Sequence, residues 1–345
     1  MNSIKQIVSV DVSKDELVVC LGSLFDTQQT KFSSKAVFEN SLKGARHLLK
    51  WAVKMSQKGV PLGFVMEATG VYHETLAYYL HQKGQPLSVL LPTQTKAYAK
   101  SLNLKSKTDS IDAQMLAQFG LERSLEAWQP PSAALRQLKA YTREHQSLQE
   151  SKTALLNQLH AKEHAYQIPL DTKKRLKEMI RLYKEQLKAI EQKIHELINS
   201  DPDLKEPIER IAKVKGLGLL TIAKVVAETN GFATFENGKQ LASFTGYDVV
   251  HHQSGNSARK TKTSKRGNAH IRAALYWPAI VAVKWNKQFK TFYDRIMINH
   301  TAKMVGYTAV ARKLLVLIFT LWKNKSDYDP NYEMNRSSKT LAIPC

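Results

Sequence analysis

Four carboxylates stand where an acid is either costly or well placed for chemistry. Asp11 interrupts the apolar run Val8-Ser9-Val10-Asp11-Val12, where a charge needs a partner or a metal. Glu67 closes Leu62-Gly63-Phe64-Val65-Met66 just before Ala68-Thr69-Gly70, the kind of strand end at which α/β domains carry reactive groups. Asp109 and Asp112 lie three apart in Lys107-Thr108-Asp109-Ser110-Ile111-Asp112-Ala113, so a helix there sets both on one face. An all-oxygen donor set selects a hard cation, Mg2+ with Mn2+ as a substitute. Two such ions about 4 Å apart polarise a phosphate, activate a nucleophile and stabilise the leaving oxygen. That is phosphodiester chemistry, and it requires the four acids to converge into metal-ligand range. Taken singly, each acid also has a plainer reading: a strand-end residue for Asp11, a helix N-terminal acid for Glu67 and Asp109, a solvated acid for Asp112.

A second set of residues is basic. Lys105 and Lys107 precede Asp109. Lys215-Gly216-Leu217-Gly218 sits between two apolar stretches, and a Gly-x-Gly turn between helices lets backbone N–H groups approach phosphate, or serves as a tight turn alone. From Gln253 to Asn268 the chain has Arg259, Lys260, Lys262, Lys265 and Arg266, several hydroxyls and no acid, a composition suited to gripping a phosphate backbone. On composition alone, Ser254 is an ordinary loop serine.

The elements that must carry these groups follow from periodicity. Residues 5–23 read as two β-branched strands around Ser13-Lys14-Asp15, residues 38–57 as a helix, 62–66 as a strand, 72–83 as a helix and 87–91 as a strand, with helix to about 126. This is an α/β domain with a mixed sheet. Trp128-Gln129-Pro130-Pro131 breaks the chain. Beyond it, Leu176, Ile180, Tyr183, Leu187, Ile190, Ile194 and Leu197 form a heptad seam among Lys and Glu, which fits an intramolecular helical hairpin or a dimerisation arm. The expected organisation is a catalytic domain over 1–130, a coiled-coil arm over 131–205, a mainly helical domain over 206–325 and a tail over 326–345. With 51 Lys and Arg against 30 Asp and Glu in 345 residues, the net charge of +21 calls for a polyanionic partner. Cys20 and Cys345 make no disulfide framework or metal spacing. The start lacks a signal-peptide core, and the apolar runs 273–283 and 314–322 read as buried helices too short to span a membrane. A bacterial cytoplasmic location fits.

The words Val10-Asp11-Val12-Ser13-Lys14, Met66-Glu67-Ala68-Thr69-Gly70 and Lys107-Thr108-Asp109-Ser110-Ile111-Asp112-Ala113 resemble those of the IS110-type insertion-sequence transposases and the related Piv-type DNA invertases, in order and over most of the chain. The resemblance implies a RuvC-like, RNase H-type fold whose DEDD tetrad, here Asp11, Glu67, Asp109 and Asp112, binds Mg2+. The segments 243–246, Ser254-Gly255, 264–268 and 271–276 resemble the family's C-terminal transposase domain, which makes Ser254 the implied nucleophile, with Ser257 as the fallback. His251-His252 stand where the family leads one to expect arginines, which leaves substrate contacts in that loop less defined. A serine hydroxyl needs a base or a metal to activate it, and a metal held by the tetrad would make one composite site from two domains. The family further implies donor and target DNA as substrates and a structured guide RNA that supplies base pairing. Exchange of two duplexes needs four strand cuts, hence a homodimer pairing into a tetramer. The alternatives are a junction-resolving nuclease using water and a non-catalytic nucleic-acid scaffold.

Overall fold

The computed structural model describes residues 2–68, 70–103, 108–167, 169–250, 253–254, 257–258 and 262–330. The chain divides into two compact units, residues 1–130 and 131–345.

The first unit is built on a five-stranded sheet of order β3-β2-β1-β4-β5. β1 (Ser3–Val12) and β2 (Glu16–Phe25) form an antiparallel hairpin. Its turn is held by Ser13, whose Oγ accepts from the Glu16 amide at 2.9 Å. β3 (Thr30–Glu39) extends the hairpin on one side, while β4 (Leu62–Glu67) and β5 (Leu87–Leu90) add in parallel on the other. This order, with β2 alone running against the rest, is the RNase H-type arrangement. α1 (Leu42–Met55) and α2 (Glu74–Gln82) cover one face through Ala45, Leu48, Ala52, Leu76, Ala77 and Leu80, packed on Val8, Val10, Leu17 and Met66. α3 (Pro92–Ser101) and α4 (Asp109–Glu122) cover the other.

One sequence expectation changes here. The helix expected over 38–57 begins only at Leu42, where Ser41 caps it by accepting from the Gly44 amide at 3.1 Å. Residues 30–39 are instead a full strand whose exposure alternates residue by residue. Pairing with β2 decides the matter, because Phe38 lies opposite Leu17 and joins the core as a strand residue.

The second unit begins with α5 (Ala133–Glu163) and α6 (Leu170–Ser200), which fold back on each other. Leu155 packs on Leu176 and Ile180 near the far end, and Leu138 joins Ile194 and Ile198 at the base. The heptad seam is therefore buried within the chain, since its apolar side chains find their partner helix in cis. α7 (Pro202–Ala212), α8 (Leu219–Glu228), α9 (Gly238–Thr245), α10 (Ala269–Trp285), α11 (Lys287–Met297) and α12 (Lys303–Asn324) build one apolar core with the base of the hairpin. α12 is long and apolar enough to cross a membrane by length and composition, which corrects the expectation that no run reaches that size. Its Val310, Leu314, Leu315 and Ile318 are buried in the core instead. Between α9 and α10 lie two short antiparallel pairs, β6 (Val249–Val250) with β9 (Lys262–Thr263) and β7 (Gln253–Ser254) with β8 (Ser257–Ala258).

Candidate active site

Register fixes the first two acids. Val10 of β1 lies opposite Met66 of parallel β4, so Asp11 and Glu67 are the next residues at the two strand ends. Strand alternation puts Asp11 in phase with Ile7 and Ser9, and Glu67 in phase with Val65. Ile7 and Val65 belong to the core under α3 and α4, so both acids share the α4 face of the sheet.

α4 runs against β1 across that face. Ser9 Oγ donates to the Ala113 carbonyl at 2.5 Å. Seven residues on, a Cβ at Gly120 would stand 2.8 Å from Val65 and 3.0 Å from Ile7. Lys5 Nζ then donates to the Gly120 and Arg123 carbonyls at 2.6 and 3.1 Å, closing the C-terminal end of the helix. Burial lowers the Lys5 pKa. With its C-terminus beside Lys5, α4 must begin beside the ends of β1 and β4. Its first turn holds Asp109 and Asp112, capped by Thr108, which accepts from the Ile111 amide. The four expected residues thus come to one edge of the sheet from three elements. Asp11, Glu67 and Asp112 are half-buried and Asp109 is exposed.

Convergence stops short of a ready cage. Among the described residues, no three His, Cys, Asp or Glu side chains are grouped closely enough to hold a metal ion. The expectation of four acids already within ligand range is corrected on this point. Glu67 Oε2 accepts from Thr95 Oγ1 at 2.5 Å, a hydroxyl that also lies 3.1 Å from the Pro92 carbonyl. The oxygen donors and their common edge still suit a hard cation, which Mg2+ sites commonly complete with waters and substrate phosphate.

Two residues of this edge escaped the sequence reading. Thr95, fully buried at the start of α3, holds Glu67. Lys35 of β3, opposite Cys20, donates to Ser110 Oγ at 2.7 Å and so brings a cation to the first turn of α4. The Cys20 thiol is raised in pKa by burial, with Lys35 pulling the other way. The alternation of Phe32, Ser34, Ala36 and Phe38 was the signal for β3, and with it for Lys35.

In the second unit, Ser254 lies on β7, paired with Ser257 of β8. Lys105, Lys107, Arg259, Lys260, His251 and His252 lie outside the described residues. Lys262, Lys265 and Arg266 are exposed at the exit of the ribbon. Side chains fasten its stems: Ser264 Oγ donates to Asp248 Oδ1, and Arg272 Nη1 donates to the Thr245 and Gly267 carbonyls at 2.7 and 3.1 Å. Asn268 caps α10 by accepting from the Ile271 amide, and its Nδ2 donates to Glu228 Oε2 at 2.7 Å. Glu228 is buried at the end of α8 and also receives Arg143 Nε at 2.7 Å and Nη2 at 3.1 Å. Burial pushes its carboxyl upward, but the Arg143 and Asn268 hydrogen bonds outweigh that and hold it below the usual range.

The Lys215–Gly218 turn joins α7 to α8. Gly216 has φ +105°, and a Cβ there would meet Ala282 of α10 at 2.8 Å. This glycine serves close packing as well as the turn. Lys215 and Gly218 are exposed, and Gly218 is the N-cap of α8.

Comparison with known proteins finds two family matches along the chain, the first running past residue 130 into α5. Residues 8–163 match the transposase family DEDD_Tnp_IS110, and residues 208–294 match the Transposase IS116/IS110/IS902 family. The pilin gene-inverting protein of Moraxella lacunata is 28% identical over 330 residues, covering 94% of this chain and 98% of that protein. The transposase for insertion sequence element IS1111A of Coxiella burnetii is 25% identical over 358 residues, covering 95% and 92%. Among solved structures, Thermus thermophilus RuvC matches with 11% identity and a TM-score of 0.28, covering 36% of this chain and 99% of that one. With its two halves matched in order by the same family, the chain belongs to the IS110-type transposases, and it is a DNA recombinase.

Proposed function

We propose that the chain moves or inverts its own DNA element by Mg2+-assisted phosphodiester transfer through Ser254. The observation that supports this reading is the gathering of Asp11, Glu67, Asp109 and Asp112 at one edge of the sheet. Those four acids are the proposed ligands, and the cation they hold would neutralise charge on the phosphate and leaving oxygen. No three of the described acids are in ligand range, so the DNA phosphate would have to complete the oxygen set around that cation. Release of Glu67 from Thr95 is part of that closure.

Ser254 is the proposed nucleophile. Its Oγ bonds to phosphorus as the bond from phosphorus to the strand's ribose oxygen breaks, and the serine proton ends on the hydroxyl released. The hydroxyl of the exchanged strand then attacks the phosphoserine, restoring Ser254 and joining the new strand. The basic residues of the ribbon, with Lys105, Lys107, Lys215, Gly216 and Gly218, are proposed to grip the phosphate backbone. The same reading includes a structured guide RNA, a homodimer pairing into a tetramer, domain limits as expected from the sequence, and work in the bacterial cytoplasm.

The test is a reaction of the purified chain with Mg2+, end-labelled DNA flanking its own gene and co-purified RNA, stopped in denaturant. A protein–DNA adduct that disappears in Ser254→Ala is the expected result. An adduct that persists in Ser254→Ala but vanishes in Ser257→Ala moves the nucleophile to Ser257. Cleavage with no adduct identifies water as the nucleophile and overturns the serine role.

A further inference from the structure

One face of α10 is open to solvent and almost wholly apolar. Trp277 is 67% exposed and Trp285 64%, with Tyr276 and Val281 exposed beside them. These residues fall at helical spacing on a single side, while Ile271, Leu275, Ala279, Ala282 and Val283 turn into the core. A soluble helix seldom shows two tryptophans to water without a use for them.

The charge around this face says what would cover it. Between Asp248 and Asp294 the sequence holds nine Lys and Arg and no acid. Lys284 lies on the same face, its Nζ 5.0 Å from the centre of the Trp285 ring. A basic surface that presents aromatic rings has the composition of a stacking platform for unpaired nucleotides.

A second feature adjoins it. Lys265, Arg272, Tyr247, Tyr276, Tyr307 and Met304 line a cleft of about 150 Å3 at the foot of the ribbon. Tyr276 belongs to both features, because its ring meets that of Trp277 edge-on at 5.2 Å. Arg272 spends Nη1 on two backbone carbonyls, which fixes the guanidinium and leaves its other donors for a ligand.

We propose that the cleft and the exposed face of α10 form one track for an unpaired stretch of polynucleotide. A phosphate sits against Lys265 and Arg272, and bases stack on Tyr276, Trp277 and Trp285. Eight residues of helix set the two indoles about 12 Å apart, a span of three to four bases at about 3.4 Å per nucleotide. Strand exchange produces unpaired strands, so a recombinase has a use for such a track. The proposal extends the function above but does not depend on Ser254.

The experiment is a fluorescence-anisotropy titration of the full chain with oligothymidylate and oligouridylate of about 20 nucleotides, longer than typical single-strand sites, and with a duplex of equal length. In the Trp277→Ala/Trp285→Ala variant, single-strand affinity is expected to fall roughly 10- to 100-fold, following the usual loss per stacked base. Duplex affinity should change little, and Trp277→Phe/Trp285→Phe should keep most of the single-strand binding. Stronger binding of one of the two oligomers assigns the natural strand to DNA or RNA. Single-strand binding unchanged in the alanine variant overturns the proposal. So does a variant that loses only self-association in sedimentation, which would give the face to a second copy of the chain. Should the alanine variant fail to fold, indole fluorescence of the unaltered protein decides. Quenching by the oligonucleotide, with protection from acrylamide, supports the track, and neither effect refutes it. Because Ser254→Ala leaves this binding intact, failure of the serine mechanism and failure of the track are told apart.

Discussion

In the first unit the acids ride on the ends of long hydrogen-bonded elements, whereas in the second the serine sits on a two-residue strand located by side chains around its stems. Asp11 and Glu67 are placed by parallel register, and Asp109 and Asp112 by a helix laid against the same strands. The stems on either side of the ribbon that carries Ser254 are tied by Asp248, Asn268, Arg272 and, one step back, the buried Glu228 with Arg143. The difference teaches where each half is vulnerable. The acidic edge tolerates loss of one hydrogen bond because the backbone ladder remains. Among the described residues the ribbon shows only short ladder pairs, so the polar contacts at its stems carry more of the placement.

The comparison is sharpened most by Asp11→Asn. Strand transfer should fall by about a thousandfold or more, as expected when a charge on the reacting phosphate loses its compensation. Melting temperature should stay within a few degrees, and chelation of divalent cations should reproduce the loss in the unaltered protein. A stable variant with full activity would break the comparison at its acidic end.

Next in size is Arg143→Met, which leaves Glu228 buried with Asn268 alone. Arg143 is itself half-exposed, so the cost is that of leaving the buried Glu228 carboxylate short of a partner, about 2–3 kcal/mol, readable by denaturant unfolding. The pH dependence carries the same signature. Because Glu228 is held below its ordinary value in the folded chain, its contribution is full above about pH 4.5 and is lost as the pH falls through the folded-state value. Arg143→Met should flatten that acid limb.

Gly216→Ala is expected to cost about 1–3 kcal/mol, since the added methyl meets Ala282 and the positive φ is strained for any other residue. The smallest effect belongs to Thr95→Val. It removes the hydroxyl on Glu67 while keeping the volume, and activity should change by about tenfold or less, consistent with one charge-assisted hydrogen bond. Thr95→Ser should restore it. A thousandfold loss in Thr95→Val would show that the acidic edge depends on side chains as much as the ribbon does.

How much of this was readable in the sequence follows the same division. Asp11 and Glu67 could be picked out because an acid at the end of a β-branched run is rare, and the spacing of Asp109 and Asp112 announced a helix start. Where chain-distant groups meet was harder. Thr95 and Lys35 reach the edge through a helix cap and a strand register, neither of which has a local signature. β3 was passed over in the sequence, and only its end at Phe38 and Glu39 was read as helix, because Phe38 and the apolar residues after it also fit one and only pairing with β2 chooses. Glu228 gave a fainter sign, an acid closing the apolar run Leu219-Leu220-Thr221-Ile222-Ala223-Lys224-Val225-Val226-Ala227. Its partners lie 85 and 40 residues away. The heptad seam announced a partner helix without saying whose, and α5 supplies it in cis.

The small side chains beneath α4 have a mechanical consequence. Ala113, Ala117 and Gly120 let the helix settle low on Ser9, Cys20, Ile7 and Val65. The height of that seat sets how far the Asp109–Asp112 turn stands above the strand ends. A methyl at Gly120 or a valine at Ala117 would act as a shim under the helix. It would widen the gap between two pairs of acids without touching either pair, so catalysis could be detuned from beneath while every ligand remained in place.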